Sequence, residues 1–575
     1  RSSAASDVYK RQVHGLPIIE HAEFGRNVPD EAMPDEDKMN LGKIYHMGKE
    51  EAAGLILNRQ AMASHTFITG STGTGKSNAV YHLLDEITKN GQTTFLVVEP
   101  AKGEYKNVFG NCTDVQVFGT NPRETPLLRM NPFAFPENIH ILEHIDRLVE
   151  IFNACWPMYA AMPAVLKDAI ERSYQKVGWD LRNSESEKGV FPTFFDLLDI
   201  LPGVIEESHY SKDTQSDYVG ALCTRVKSLT NGIYGSVLCA EDALTDEALF
   251  DRNVVVDLSR VGSMETKSLL MGILVMKLQE YRMCSTGMNS RLRHVTVLEE
   301  AHNLLRKTSA EQSQEGANLQ GKSVEMLANA IAEMRTYGEG FIIADQAPGL
   351  LDMSVIRNTN TKIILRLPDE EDRKLVGKSA ALKEAQIDEL SKLPLGVAAV
   401  YQNEWPEAVL CKIEAYPMPE NAVYHKPSKM PHEINAEFVF GQLAVGKELK
   451  PLSSSEMEQL KLWLKRHETV LKPEDSRYLE RVFAGGELDV AKTRKAVFDF
   501  FGGISTVVDY CAAAEKSLTP RKEFLEQLQG QYGLKAAAAD WVLNSVISMG
   551  MSLNPDAKAV DNLRTNFEQQ GGRVL

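Results

Sequence analysis

The run GSTGTGKS, Gly70 to Ser77, limits what this chain can fold into more than any other segment. It fits Gly-x-x-x-x-Gly-Lys-Ser. An apolar, β-forming stretch, His65–Thr69, precedes it, and a helical pattern beginning near Asn78 follows, with Val80, Leu83, Leu84 and Ile87 on one face and Gly91 closing it. Glycines at these places let main-chain N–H groups wrap a phosphate with no Cβ in the way. The helix N-terminus adds donors and the positive end of its dipole. Gly70, Ser71, Thr72, Gly73, Thr74, Gly75, Lys76 and Ser77 are therefore read as the nucleotide-binding loop, with ATP and Mg²⁺ as ligands. Lys76 is expected to reach the β- and γ-phosphates and Ser77 to ligate the metal. A Gly-rich turn that matches by chance is the alternative, and the strand–loop–helix setting argues against it.

Short apolar runs recur along the chain at Thr94–Glu99, Val254–Ser259, Val295–Leu298, Phe341–Asp345, Lys362–Leu367, Val397–Tyr401 and Val409–Ile413. Several are apolar nearly throughout, as strands buried on both faces of a parallel sheet must be. Helical patterns lie between them, one of them marked by Leu270, Ile273, Leu274, Leu278 and Tyr281. The expected class is α/β, an additional-strand RecA-like P-loop NTPase with a mostly parallel sheet, a helical insertion and a helical C-terminal domain. The expected divisions are a tail or linker over residues 1–40, core over 41–138, helical insertion over 139–251, core again over 252–417, and a helical domain over 418–575. In the last of these, Ser455–Arg466, Pro473–Phe483, Val490–Phe501 and Arg521–Gln531 read as helices.

Hydrolysis needs a carboxylate at the end of a neighbouring strand, and VTVLEEAH, Val295 to His302, supplies two. Glu299 is placed to hold Mg²⁺ through water and Glu300 to polarise the attacking water. Their alternative is an acidic helix start that suits the dipole. Gln346 follows the apolar Phe341–Ala344 run and is a candidate to sense the γ-phosphate or the water, the alternative being a strand-end polar cap. Val324, Leu327, Ala328 and Ile331 form an apolar stripe that helical spacing carries on to Arg335. An arginine there is a candidate to cross into a neighbouring subunit's site, or else a helix C-terminal cation before Gly338. Arg366 in KIILRL is the second candidate for that role.

Composition bounds the rest. No apolar run approaches the roughly 18 residues that cross a bilayer, so no membrane segment is visible. The 7 cysteines are scattered and form no Cys-x-x-Cys pair, which fits a reducing, cytoplasmic setting. A net charge of −16 excludes a surface basic throughout and leaves room for a basic channel. There is no His-Glu-x-x-His zinc signature and no Gly-x-Ser-x-Gly elbow, and His65 and His302 read as structural hydrogen-bonding residues. Residues 1–12, RSSAASDVYKRQ, are expected to be non-native, and the segment up to about Asn40 is read as a linker from an upstream module.

HTFITGSTGTGKS, VEPAKGEY, VTVLEEAH, AEMRTYGEGFIIADQAP and NTKIILRLPDEEDRK, in that order, resemble the HerA-type branch of the HerA/FtsK superfamily over roughly Leu41 to Ile413. The resemblance implies a homohexameric ring that pumps duplex DNA, with Arg335 in the place of the family's trans-acting arginine. It implies a nuclease or an antiphage effector as partner, and a small upstream β-barrel, which is expected to be absent or truncated here because only some 40 residues precede Leu41. Two other readings stay open: a regulatory ATPase scaffold that assembles or gates an effector, and a conjugation or secretion motor. For DNA contact the candidates are Arg306, Lys307 and Lys322, then Arg291, Arg293 and His294, then Lys461, Lys465 and Arg466. A solvated face is the alternative for each group.

Overall fold

The apolar runs assemble into one sheet of 11 strands. In the computed structural model, residues 22–26 and 33–426 are described except 160, 187–189, 241–242, 309–318 and 419–421, together with Leu460 and residues 473–574 except 484–488, 515, 517–518, 533–535, 555 and 573. The chain forms two compact units, and the larger holds the sheet. Its strands are β1 (Lys38–His46), β2 (Lys49–Asn58), β3 (Thr66–Thr69), β4 (Thr94–Glu99), β5 (Val115–Gly119), β6 (Asn253–Asp257), β7 (His294–Glu299), β8 (Glu339–Asp345), β9 (Thr361–Ile364), β10 (Val397–Gln402) and β11 (Val409–Ile413). Their order across the sheet is β2-β1-β11-β10-β9-β3-β8-β7-β4-β6-β5. From β9 to β5 every pairing is parallel, and the flank from β9 to β2 is antiparallel. Between the strand that feeds the phosphate loop, β3, and the carboxylate strand, β7, lies one added strand, β8.

Burial explains which strands announce themselves. β3, β6, β7, β8 and β9 are buried at every residue, so each can be apolar throughout. β2 and β5 form the two edges of the sheet. An edge strand tolerates, and benefits from, charge that prevents further pairing. In β2 the run from Lys49 to Gly54 is mostly exposed. The sequence pattern passes over β2 for this reason. The expected linker also differs from what is found: Phe24 is buried, Gly25 N–H donates to Ala408 O at 2.9 Å, and the Glu23 carbonyl accepts from Gln386.

Helix α1 (Lys76–Thr88) starts directly at the end of the phosphate loop, two residues before the expected point. Helix α2 (Met264–Ser285) is buried around most of its girth, and α3 (Leu319–Glu333) runs into a single 3₁₀ turn, Met334–Tyr337. Between β5 and β6 the chain is largely helical, from Ile141–Cys155 to Asp246–Phe250. The second unit has its own core, including Phe483, Val497, Phe500, Tyr510, Leu543, Ile547 and Phe567. Besides the expected helices it holds Gly503–Ala514, Ala536–Leu553 and Ala557–Gln569. The expected helix Ser455–Arg466 lies outside the described residues except for Leu460. Among the described residues no single helix is long and apolar enough to cross a membrane.

At the end of the sheet remote from the phosphate loop, Glu339 is fully buried. It accepts from Arg282 Nε at 2.9 Å and Thr296 Oγ1 at 2.8 Å, and it lies 2.7 Å from His294 Nδ1. Burial pushes its carboxyl up, but His294 and Arg282 outweigh burial and hold it at about 2. Burial also keeps His294 below its ordinary range. Glu339 is thus held ionised by His294 and Arg282 together, against the cost of burial. Because the folded value lies below the unfolded one, this stabilisation is complete above pH 4.5 and is lost as pH falls toward 2. Glu339→Gln is therefore expected to lower stability by about 3 kcal/mol at pH 7, since it leaves Arg282 buried beside an uncharged group. In thermal unfolding followed from pH 7 to pH 3, the gap between wild type and variant should narrow with acid; a gap independent of pH contradicts the assignment.

Candidate active site

Parallel pairing puts the ends of three strands side by side: Thr69 is opposite Asp345, and Ala344 is opposite Glu299. The loop leaving β3 is held from several directions. Ser71 N–H donates to Arg366 O at 3.0 Å, Thr74 Oγ1 donates to Ser71 O at 2.7 Å, and Gly396 N–H donates to Thr74 O at 3.0 Å. Gly73 (φ 75°) and Gly75 (φ 104°) lie in the left-handed region, where a side chain is disfavoured. A Cβ on Gly75 would also stand 3.4 Å from Gly396 Cα.

Lys76, the first residue of α1, is buried and points back across the loop. Its Nζ lies 3.0 Å from Glu299 Oε2 and 3.3 Å from Glu300 Oε1. Burial opposes its charge, but the two carboxylates outweigh burial and hold the lysine above its ordinary range. Successive side chains of a strand point to opposite faces, yet these two adjacent glutamates meet one ammonium. The backbone of Glu300 explains this: at φ 44° and ψ 51° it is left-handed, which turns the chain sharply just past β7. A non-glycine residue in that region costs on the order of 1 kcal/mol, a cost typical of functional sites.

Gln346, one residue past β8, joins the two halves of the site. Its Oε1 accepts from Thr72 Oγ1 at 2.6 Å, and its Nε2 donates to Glu300 Oε1. Asp345 is fully buried and accepts from His302 N–H at 2.8 Å and Ala347 N–H at 2.9 Å, with His302 Nδ1 at 2.9 Å. That hydrogen bond to Asp345 raises the His302 pKa. Glu300, His302 and Asp345 bring one ligand atom each within 4.8 Å of one another. Since His302 and Asp345 already bond each other, we read this group as a brace for the turn after β7. Beside the loop opens a cavity of about 320 Å³, lined by residues of the Ser71–Asn78 segment with Lys102, Glu104, Gln346 and Leu395. Ser77 lines it, and the Glu299 carboxylate stands beside Lys76. A hydroxyl and a carboxylate are hard oxygen donors that suit Mg²⁺, which keeps waters of its own.

Sequence reasoning missed Tyr105 and Glu99. Tyr105 is buried, and its hydroxyl donates to Glu299 Oε1 at 2.5 Å. Glu99 ends β4 and accepts from Glu104 N–H at 2.8 Å and Tyr105 N–H at 3.1 Å. Burial pushes its carboxyl up to about 8, with Asp257 and Glu299 adding to the effect and the two N–H bonds opposing it. The available signal was VEPAKGEY, which places three acidic or hydroxylic side chains just past a buried strand.

The arginine candidates separate. The stripe of α3 does not continue to Arg335, because the 3₁₀ turn winds more tightly and puts Met334 on the buried side while Arg335 is exposed. Among the described residues neither Arg335 nor Arg366 forms an ion pair, and neither lines the cavity. Arg366 is exposed beside its own chain's phosphate loop, since its carbonyl accepts from Ser71. Among the DNA candidates, His294 is buried on Glu339, and Arg291 is paired with Asp37 at 2.9 Å and Glu36 at 3.2 Å. Lys461, Lys465 and Arg466 lie outside the described residues.

Residues 39–275 match the family model described as "Helicase HerA, central domain". A probable helicase of Methanocaldococcus jannaschii is 23% identical over 436 residues, 69% of this chain and 76% of that protein. A DNA double-strand break repair helicase HerA of Sulfolobus acidocaldarius is 25% identical over 391 residues, 66% of this chain and 69% of that protein. Among solved structures, VirB4 of Thermoanaerobacter pseudethanolicus is similar with a TM-score of 0.51 and 18% identity, covering 67% of this chain and 98% of VirB4. This last likeness shows the fold, that of a P-loop NTPase.

The arrangement predicts separable effects for the two carboxylates. Glu300→Gln should still bind ATP, because Lys76 and the loop amides remain, but hydrolyse it about 10²- to 10⁴-fold more slowly, since an amide accepts no proton. Single-turnover hydrolysis alongside binding of a fluorescent ATP analogue checks this. Free turnover by Glu300→Gln, with a block in Glu299→Gln instead, reverses the two roles.

Proposed function

We propose that the chain, a P-loop ATP hydrolase similar to HerA helicases, works as a Mg²⁺-dependent homohexameric motor that moves duplex DNA. One observation carries the proposal: among the described residues, no arginine lines the cavity within a single chain. Phosphoryl transfer develops negative charge on the terminal phosphate, and ring NTPases supply a cation for it across a subunit boundary. Among the described residues, Lys76 and Lys102 are the cations that line the cavity, whereas Arg335 is exposed, makes no ion pair and stands just past α3. Arg335 is thus the residue that completes a neighbour's site. Arg366, fixed beside its own phosphate loop, suits a role within its own chain.

The roles follow from the contacts. Lys76 pairs with both Glu299 and Glu300. An incoming triphosphate competes for that lysine. Ser77 and Glu299 are the residues that would hold Mg²⁺, which when bound would supply charge neutralisation on the phosphates. Glu300, held by Gln346, is placed to take the proton of the attacking water, and Gln346 links that base to Thr72 of the loop.

Duplex DNA enters the proposal through the relatives named as DNA double-strand break repair helicases. In this chain Arg306 and Lys307, which follow the carboxylate strand, and Lys322, in the first turn of α3, are exposed. There they can follow the nucleotide state and meet phosphates in a channel. A nuclease or antiphage effector as partner rests on the family alone.

The test uses two variants that are each inactive for a different reason. Lys76→Ala loses the loop cation, and Arg335→Ala keeps nucleotide binding but loses transition-state charge stabilisation, roughly 10³-fold or more. Co-assembled over a range of ratios, they should regain ATPase activity, because adjacent subunits rebuild some complete sites. Duplex DNA should stimulate the wild type and the mixture alike. Full activity of Arg335→Ala on its own contradicts the trans assignment, and ATPase indifferent to DNA favours a scaffold over a motor.

A further inference from the structure

The nucleotide cavity holds more acid than Lys76 can balance. Both close contacts of Lys76 already go to Glu299 and Glu300, and Glu104 lines the cavity as well. A nucleoside triphosphate brings several more negative charges to the same place, of which Mg²⁺ offsets only part. Among the described residues lining the cavity there is one other cation, Lys102.

Lys102 is set in place by the fold. It lies in the loop between β4 and the short helix Tyr105–Phe109, where the Glu99 carboxylate gathers the main-chain N–H groups of Glu104 and Tyr105. Lys102 is left-handed at φ 60°, and the next residue, Gly103, is left-handed at φ 69°. A Cβ at Gly103 would stand 3.0 Å from Ser259 Oγ and 3.4 Å from Asp257 Oδ2, so glycine lets this loop lie against the end of β6. The far end of the loop is Tyr105, which holds Glu299. Strand order also fixes the direction of approach. β4 lies beyond β7 as seen from β3, so Lys102 enters from the side of Glu299 and Glu300, where the reacting phosphate must sit. Its one ion pair among the described residues is with Glu104 at 3.8 Å, both side chains being about half exposed. Such a loose surface pair is worth little and exchanges readily for a phosphate.

We propose that Lys102 is a second phosphate-binding cation, which engages the terminal phosphate of a bound nucleoside triphosphate and lets the site distinguish triphosphate from diphosphate. The inference rests on Gly70–Ser77 being the phosphate loop.

Fluorescent ADP and a non-hydrolysable fluorescent ATP analogue, each with Mg²⁺, are titrated into the full chain and into Lys102→Ala, Lys102→Arg and Lys76→Ala. Lys102→Ala should weaken the triphosphate by about ten- to a hundredfold, the worth of one charge-assisted hydrogen bond, and leave ADP within about twofold. Its ADP binding shows in the same experiment that the variant is folded. Lys102→Arg should recover most of the triphosphate affinity. Equal loss for both nucleotides, or loss for neither, overturns the inference. Normal binding of both nucleotides by Lys76→Ala instead overturns the phosphate-loop reading on which the inference rests.

Discussion

One ammonium facing two carboxylates, Lys76 with Glu299 and Glu300, is the contact on which the rest of the site depends. It can exist because β3 and β7 end level with each other across β8, and because Glu300 leaves the strand in a left-handed turn. Three strands buried at every residue give that junction a stiff base, so positions at their ends are fixed by packing rather than by the loops. The pair is buried, and a buried charge is tolerated only while it has a partner. Any ligand that takes Lys76 away must therefore leave the glutamates with another cation, and in the proposed function a metal ion beside Glu299 would be that cation.

A second set of contacts ties that junction to its surroundings. Gln346 spans from Thr72 to Glu300, His302 is braced on Asp345, and Tyr105 holds the far oxygen of Glu299. These contacts link the phosphate loop to the end of β7, and that end to the end of β8 and to the loop after β4. The exposed segment carrying Arg306 and Lys307 follows directly from β7, and Arg335 precedes β8. Both elements proposed to act outside the chain's own pocket are thus continuous with strands that end in it.

Much of this was legible in the sequence because burial on both faces leaves a plain mark. The runs that became β3, β4, β6, β7, β8, β9, β10 and β11 are apolar enough to read directly, and the glycine-rich loop between one of them and a helix fixes its own surroundings. The edge strand β2 was not legible, since Lys49, Glu50 and Glu51 make its first half polar, and β1 is interrupted by Gly42 and Lys43. Arg335 misled for a local reason: helical spacing assumes that an α-helix continues, and here it tightens into a 3₁₀ turn that moves the arginine off the apolar face. Tyr105 and Glu99 stayed hidden because their roles come from which strands become neighbours. The sequence separates Tyr105 from Glu299 widely, and only the pairing of β4 with β7 brings them together.

The most direct test of the account is a structure of the chain with Mg²⁺ and a non-hydrolysable ATP analogue. The account predicts that Lys76 Nζ leaves Glu299 and Glu300 for the β- and γ-phosphates, with a metal between Ser77 and Glu299 and with Glu300 still bonded to Gln346. Lys76 remaining on the two glutamates, with the triphosphate bound elsewhere, would contradict it.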